Sequence, residues 1–310
     1  MISNLDPAAQ QFLNSLDLIQ TRLDTAERQL SSGLKVSTPS DAPDQVSPIL
    51  QLHADIQANQ NVQSNLNLVK TQVDTGEQVL SSSVDLLQQA SVIATQATGP
   101  NQTAQTRATL AGSVESLLDQ MVQNSRTTVS GRYIFSGASD QTPLYQVDLS
   151  APNGVDRLAV AASTQQIAGP GGSSFPLALS ANDIFDHRNA DDSLAPDNVF
   201  AALNGLRAAL AANDDAGIQN SISALDTASQ YMNTELAFYG QTQDRIADGL
   251  QQTQTTDTQL RTQLSTRQDA DLSQVITELT SAQTQLQATL EARAQIPRTS
   301  LFDMIPASTA

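Results

Sequence analysis

Residues 131–137 read GRYIFSG, and the pattern of the chain changes across them. Tyr133 and Phe135 stand one residue apart between Gly131 and Gly137, in a sequence of 310 residues with no Trp, seven Phe and four Tyr. Glycine lets a backbone leave helical geometry. The patch therefore predicts the place where a helical arm gives way to a different structure. Burial of Tyr133 and Phe135 would pin the two together, since aromatic rings dominate core contacts.

Upstream the grammar is helical. Phe12, Leu16, Ile19, Leu23, Ala26 and Leu30 recur at alternating spacings of four and three residues, with Gln, Asp, Arg and Glu between them, which is a coiled-coil seam. Ser31, Ser32 and Gly33 end that helix, as glycine does at a helix C-terminus. KVSTPSDAPDQVSP, 35–48, carries Pro39, Pro43 and Pro48 and predicts a connector. Leu52, Ile56, Val62, Leu66, Val69, Val73, Leu80, Val84, Leu87, Ala90 and Ala94 then keep to one stripe. A single helix over about 50 residues would be about 75 Å long. TGPN, 98–101, separates it from a third helix, 103–130, whose apolar face is Leu110, Val114, Leu117, Leu118 and Met121.

Downstream the period becomes two. Tyr145, Val147 and Leu149 alternate with polar residues, as do Leu158, Val160 and Ala162, and later Phe175, Leu177 and Leu179, so three strands with one buried face are expected. APNG, 151–154, ends in the Asn-Gly pair favoured in two-residue hairpin turns, and GPGGSS, 169–174, reads as a loop. Helical spacing returns near 197, where Asp197 is placed to cap. It runs through Ile218, Ile222, Leu225, Met232, Leu236, Tyr239, Ile246, Leu250, Leu260 and Leu264. A last helix follows with Leu272, Ile276, Leu279, Leu286 and Leu290, stopping before Pro297.

The fold these periods predict is mainly α: an elongated antiparallel helical-bundle or coiled-coil stalk with a small β-rich inserted domain. Residues 1–137 form an N-terminal arm, with a terminal helix at 1–35, a connector at 36–48 and stalk helices at 49–130. Residues 138–196 form the insert, and 197–310 form a C-terminal arm that completes the stalk.

Composition narrows the function. The formal charge is −17, with only Lys35 and Lys70 as lysines. Such a surface repels phosphate, which argues against nucleic acid and anionic membrane as partners. There is no cysteine, hence no disulfide and no thiolate chemistry. MISNLDPAAQQFLNSLD has no basic segment followed by an apolar one, so a cleaved secretory signal is not expected. No stretch approaches the roughly 20 apolar residues of a membrane-spanning helix.

Catalysis finds little support in the sequence. His53 falls within the long helical run, and His187 lies in DIFDHRNADD, near Asp186, Asp191 and Asp192. Neither has partners at metal-ligand spacing, and the acidic stretch reads as a solvated loop. GPGGSS lacks the Lys-Ser/Thr of a phosphate loop. Asp269 and Asp271 sit at a helix start, where carboxylates favour the dipole. No enzyme, cofactor or metal is expected.

The apolar seams are the positive signal. Stripes of this length need partner helices. The two terminal segments have thin apolar faces rich in Gln, Ser and Thr, and short helices of that kind are marginal alone. They are expected to gain their partners from neighbouring subunits.

Several motifs carry a resemblance. ERQLSSGLKVSTPSDAPDQ at 27–45, FYGQTQDRI at 238–246 and the end from DADLSQVITELTSAQTQLQATLEARAQIPRTSLFDMI, 269–305, resemble the bacterial flagellin family, and GRYIFSG with SLFDMI, 300–305, resembles its hook–filament junction branch. The likeness covers both arms, about 1–137 and 197–310, and not the insert. The first ten residues, with Pro7, and the tail PASTA, 306–310, depart from the family pattern.

The resemblance implies a structural component of the bacterial flagellum that forms the junction between hook and filament. It implies export through the type III channel without a cleaved signal, with an export chaperone, and an extracellular location. It also implies self-association in a ring, with flagellin on one side and a hook-side junction protein on the other. The residues it implies for subunit packing are Phe12, Leu16, Ile19, Leu23 and Leu30 against Leu272, Ile276, Leu279, Leu286 and Leu290, with Leu301 and Phe302 at the tip. Gly131, Tyr133, Phe135 and Gly137 would join stalk to insert. A bulk filament subunit is the alternative within the family; a cytosolic coiled-coil binding module is the alternative outside it.

Overall fold

The computed structural model describes residues 7–161, 166–168 and 174–295. The chain is mainly helical. Helix α1 spans Pro7–Ser32, with proline at the first position, where its missing N–H is not needed. Gly33 ends it in the left-handed region, φ 71°, donating its N–H to the Gln29 carbonyl at 2.8 Å. A turn follows in which the Asp41 carboxylate accepts from the N–H groups of Ser37 and Thr38, at 3.0 and 2.7 Å. These bonds hold the Asp41 carboxyl at about 2, well under its usual 3.8.

Helix α2 begins at Pro43 and runs to Ala97. The connector expected to reach residue 48 is therefore shorter. Pro43 takes the first helical position, and Pro48 is absorbed inside the helix at the loss of one backbone hydrogen bond. Helix α3 spans Ala104–Ser125, its start capped by Thr103, whose side chain accepts from the Thr106 N–H. It stops before the expected residue 130 because a hairpin begins there. Strands β1 (Thr128–Val129) and β2 (Arg132–Tyr133) pair across Ser130 and Gly131, both at positive φ. That is the geometry of a two-residue turn whose twist matches the strands.

Two more antiparallel pairs follow. β3 (Tyr145–Val147) pairs with β4 (Val155–Arg157), and β5 (Gln166–Ala168) with β6 (Ser174–Pro176). The period of two located this region and the strand at Tyr145–Val147 but misplaced the others. β4 precedes the Leu158–Val160 stretch, which is exposed; Ala162 lies outside the described residues, as does most of GPGGSS. β6 takes only the start of the Phe175–Leu179 run, and β5 had no signal of its own.

APNG does not make a two-residue turn. The register sets Val147 opposite Val155, so residues 148–154 form the connection. Asn153 is buried and donates its amide to Asp186, while the loop closes through bonds from the Asp148 N–H to the Gly154 carbonyl and from the Gly154 N–H to the Ala151 carbonyl.

Helix α4 (Ala181–Ile184) carries a capping box from Ser180 and Asp183. Helix α5 spans Val199–Ala211, α6 spans Asp215–Gln268 and α7 spans Leu272–Gln295. Asn198, not Asp197, caps α5: its Oδ1 accepts from the Ala201 N–H at 2.9 Å. Its amide nitrogen is fixed by Asp186 Oδ1 and the His187 carbonyl, and Asp197 turns to the His187 ring instead.

The chain divides into two compact units. Residues 59–256 make one. Its core is built on heptads: Leu66, Val73, Leu80 and Leu87 of α2, and Ile218, Leu225, Met232, Tyr239 and Ile246 of α6, recur every seven residues and are buried. A strict seven-residue repeat is a coiled-coil seam. The two helices run antiparallel, with Asn59 Nδ2 donating to the Thr253 carbonyl and Gln243 Nε2 to Asp74. α3 packs on α5 over Val114, Leu118, Phe200 and Leu203. Arg107 is buried at the corner of these helices, donating to the Ala97 carbonyl and to Asn213 and pairing with Asp215.

Residues 1–58 and 257–310 make the other unit. Here α1 packs on α7. The segment after α1 pairs with the link before α7: Leu34 bridges Asp269, Lys35 and Val36 donate to the Gln268 carbonyl, and Ala270 donates to the Gly33 carbonyl. Asp271 caps α7, accepting from the N–H groups of Ser273 and Gln274.

Candidate assembly interface

The terminal helices form an antiparallel pair, with Arg293 of α7 lying 5.5 Å over the ring of Phe12. The seam that this pairing covers is narrow. On α1 it runs through Phe12, Leu16, Ile19, Leu23 and Ala26; Ile19 and Ala26 are buried and the others are half-buried. On α7 it runs through Val275, Leu279, Ala282 and Leu286, again spaced four-three-four, with Val275 and Ala282 buried.

This corrects the expectation that the ends lack partners within the chain. Each end covers one stripe of the other. Ala26 and Ala282 are small enough for close approach, and beside them lies a groove of about 440 Å³ lined by Leu18, Thr25, Arg22 and Glu278 among others.

A second stripe stays open. It belongs to α7, where Leu272, Ile276 and Leu290 share one face and are 48%, 52% and 50% exposed; on α1 Leu13, Leu18 and Leu30 are also exposed, at separate positions around the helix. Of the packing residues expected from sequence, Phe12, Leu16, Ile19, Leu23, Leu279 and Leu286 face the pair's own seam. Leu30, Leu272, Ile276 and Leu290 do not. Leu301 and Phe302 lie outside the described residues. Val275 and Ala282 give a weak signal in the sequence, being smaller than the Leu and Ile of the neighbouring stripe. The shared positions Leu279 and Leu286 were the signal that α7 carries two overlapping stripes.

The GRYIFSG segment serves a different purpose from a simple helix exit. Gly131 turns the β1–β2 hairpin, and Gly137, φ 56°, lies in a turn closed by the Ser139 N–H on the Ser136 carbonyl. Phe135 is fully buried, edge-on to Phe185 at 5.7 Å and to Tyr239 of α6 at 6.4 Å. Its carbonyl accepts from the Ala181 N–H at 2.7 Å. Tyr133 is only half-buried, its backbone N–H bonded to the Asp140 carbonyl. Phe135 thus touches both the insert and the long helix, and Tyr133 stays on the hairpin.

The stretch around His187 is a solvated acidic loop only in part: Asp191 and Asp192 are exposed, but Asp186 is not. Asp186 is buried and accepts from Asn153 (2.9 Å), Asn198 (2.8 Å) and Arg188 Nε (2.9 Å). His187 meets Asp197 at 2.7 Å and stacks on Tyr231, whose hydroxyl donates to the Asp183 carbonyl. Burial, then the charge of Asp183, raises the Glu235 carboxyl beside them. Among the described residues no group of three or more His, Cys, Asp or Glu is placed to hold a metal ion. No described helix is long and apolar enough to cross a membrane.

Comparison with known proteins agrees with this geometry. Residues 3–140 match the bacterial flagellin N-terminal helical region. Flagellar hook-associated protein 3 of Escherichia coli (strain K12) is 26% identical over 291 residues, 89% of this chain and 90% of that protein. Among solved structures, a protein of Vibrio parahaemolyticus ascribed to the flagellar hook-associated class superposes with TM-score 0.63 at 18% identity, covering 74% of this chain and 99% of its own. Bacillus cereus FlgL superposes with TM-score 0.55 at 17% identity, covering 71% of this chain and 100% of its own. At these identities the superpositions speak for the fold.

Proposed function

We propose that this flagellin-like chain, a relative of flagellar hook-associated protein 3, is a structural subunit of the flagellum at the junction of hook and filament. It works by packing, not by catalysis. The observation that carries the reading is the half-covered terminal pair. α1 and α7 hold each other through one seam and present Leu13, Leu18, Leu30, Leu272, Ile276 and Leu290 outward. An apolar face of that kind on paired helices suits lateral contact with other axial subunits, where many small burials add up.

The packing residues divide into two roles. Phe12, Leu16, Ile19, Leu23, Leu279 and Leu286 hold the pair together, and the outward leucines and Ile276 meet the neighbours, with Leu301 and Phe302 extending the contact at the tip. Gly131, Phe135 and Gly137 join the insert to the long helices, so that load on one reaches the other through buried rings. Flagellin on one side, a hook-side junction protein on the other, copies of this chain around a ring, and an export chaperone before assembly complete the partners. The chain leaves the cell by the flagellar export route.

Deleting the gene tests this. Microscopy of the deletion strain is expected to show hooks without filaments and flagellin monomers in the medium, both restored by the wild-type gene. Normal filaments in the deletion strain would overturn the reading. Filaments formed by the purified chain alone would make it the bulk subunit instead.

A further inference from the structure

Two Asn-Gly pairs, Asn153–Gly154 and Asn204–Gly205, meet at one buried spot where the β3–β4 loop lies on α5. Asn153 and Asn204 are 2% and 5% exposed. The Asn153 amide donates to Asp186 at 2.9 Å; the Asn204 amide donates to the carbonyls of Ala151 and Pro152 at 3.2 and 3.1 Å. Gly154 has φ 76°, and a Cβ there would stand 2.9 Å from Asn204 Cγ and 2.8 Å from Leu118 Cδ2. Its N–H donates to the Ala151 carbonyl at 2.9 Å. The fold therefore requires glycine at 154 and an amide donor at 153, which is the most deamidation-prone dipeptide chemistry offers.

We propose that Asn153 is a modification site gated by folding: inert in the native chain, and converted to aspartate or isoaspartate when the chain stays unfolded. The Gly154 nitrogen attacks Asn153 Cγ. The new N–Cγ bond forms as the Cγ–Nδ2 bond breaks, and ammonia leaves with the proton from Gly154. Water then opens the succinimide at either carbonyl. In the folded chain the Gly154 N–H is committed to Ala151, and Asp186 holds the amide away from its own backbone. After conversion a carboxylate stands where Asp186 needs a donor. Asp186 keeps Asn198 and Arg188 but loses Asn153, and two buried carboxylates face each other. Conversion thus marks a chain that stayed unfolded and weakens this fold when the chain returns to it.

The test incubates the full chain in native buffer and in urea at mildly alkaline pH, and follows residue 153 by peptide mass spectrometry. Conversion is expected at least about tenfold faster in urea, equivalent to an opening free energy of about 1.4 kcal/mol or more in the native chain. After urea is removed, the converted chains are expected to be enriched in the fraction that unfolds first when urea is raised again. Asn153→Asp made directly is expected to unfold at lower urea than wild type, and Asn153→Asp with Asp186→Asn to recover part of the loss by restoring an amide–carboxylate bond. Equal conversion rates in the two conditions, or an Asn153→Asp chain as stable as wild type, would overturn the proposal.

Discussion

Set α6 beside α7. Between 218 and 246, α6 places Ile218, Leu225, Met232, Tyr239 and Ile246 under full cover at intervals of seven. α7 covers Val275 and Ala282 and leaves Leu272, Ile276 and Leu290 half in water. Both helices are similar in their Gln, Ser and Thr content. What separates them is the neighbour each finds inside the chain. This stretch of α6 lies in a unit with an aromatic cluster (Phe135, Tyr145, Phe185, Phe200 and Tyr239), whereas α7 packs on α1 through side chains as small as alanine. Burial scales with apolar area removed from water, so residues 59–256 hold most of the stability of the free chain, and the terminal pair holds surface in reserve.

The largest effect that sharpens this contrast is expected at Phe135. Phe135→Ala removes a fully buried ring and is expected to cost about 3–5 kcal/mol, read as a lower urea midpoint for the 59–256 unit. An unchanged midpoint would mean that the ring is not what joins insert to helix. Gly154→Ala comes next, at about 2–4 kcal/mol, since it adds both backbone strain and a clash with Leu118 and Asn204. Gly131 is its control: its φ is the same 76°, yet nothing lies within 4 Å of an added Cβ. Gly131→Ala is expected to cost about 1 kcal/mol, the backbone term alone.

In the terminal unit the expected changes are smaller and depend on conditions. Asp41 titrates near 2 when folded, below its usual 3.8, so its contribution is present above about pH 4 and is lost as pH falls toward 2. The difference between wild type and Asp41→Asn in acid titrations followed by circular dichroism is expected to vanish over that interval. Smallest of all for the free chain is the triple change of Leu272, Ile276 and Leu290 to Ser. It is expected to move the free chain's stability by no more than about 0.5 kcal/mol per substitution, because these side chains are already half exposed. The same variant is expected to fail in motility assays. A normal swarm would show that the outer stripe has no partner.

Sequence periodicity revealed the long helices plainly, because a seam repeated over fifty residues has no competing explanation. It also placed the glycine that ends α1 and the break at 98–101. It was weakest where tertiary contacts decide. Asn198 displaced Asp197 as a cap because a buried aspartate fixed its amide. Asn153 abandoned a tight turn for the same aspartate. Pro48 looked like a breaker and was absorbed into α2. On α7 the larger residues drew attention to the stripe that the free chain leaves open, and Val275 and Ala282, which hold the pair, were too modest to stand out. No local pattern distinguishes a stripe covered within the chain from one awaiting a neighbour.

Hydrogen exchange, read on the purified chain and again on the same protein in assembled flagella, tests that distinction most directly. The account predicts that amides of α1 and α7 in the free chain exchange well before those of α5 and of residues 218–246, and slow markedly on assembly. Terminal helices as protected as α5 in the free chain, with no change on assembly, would contradict it.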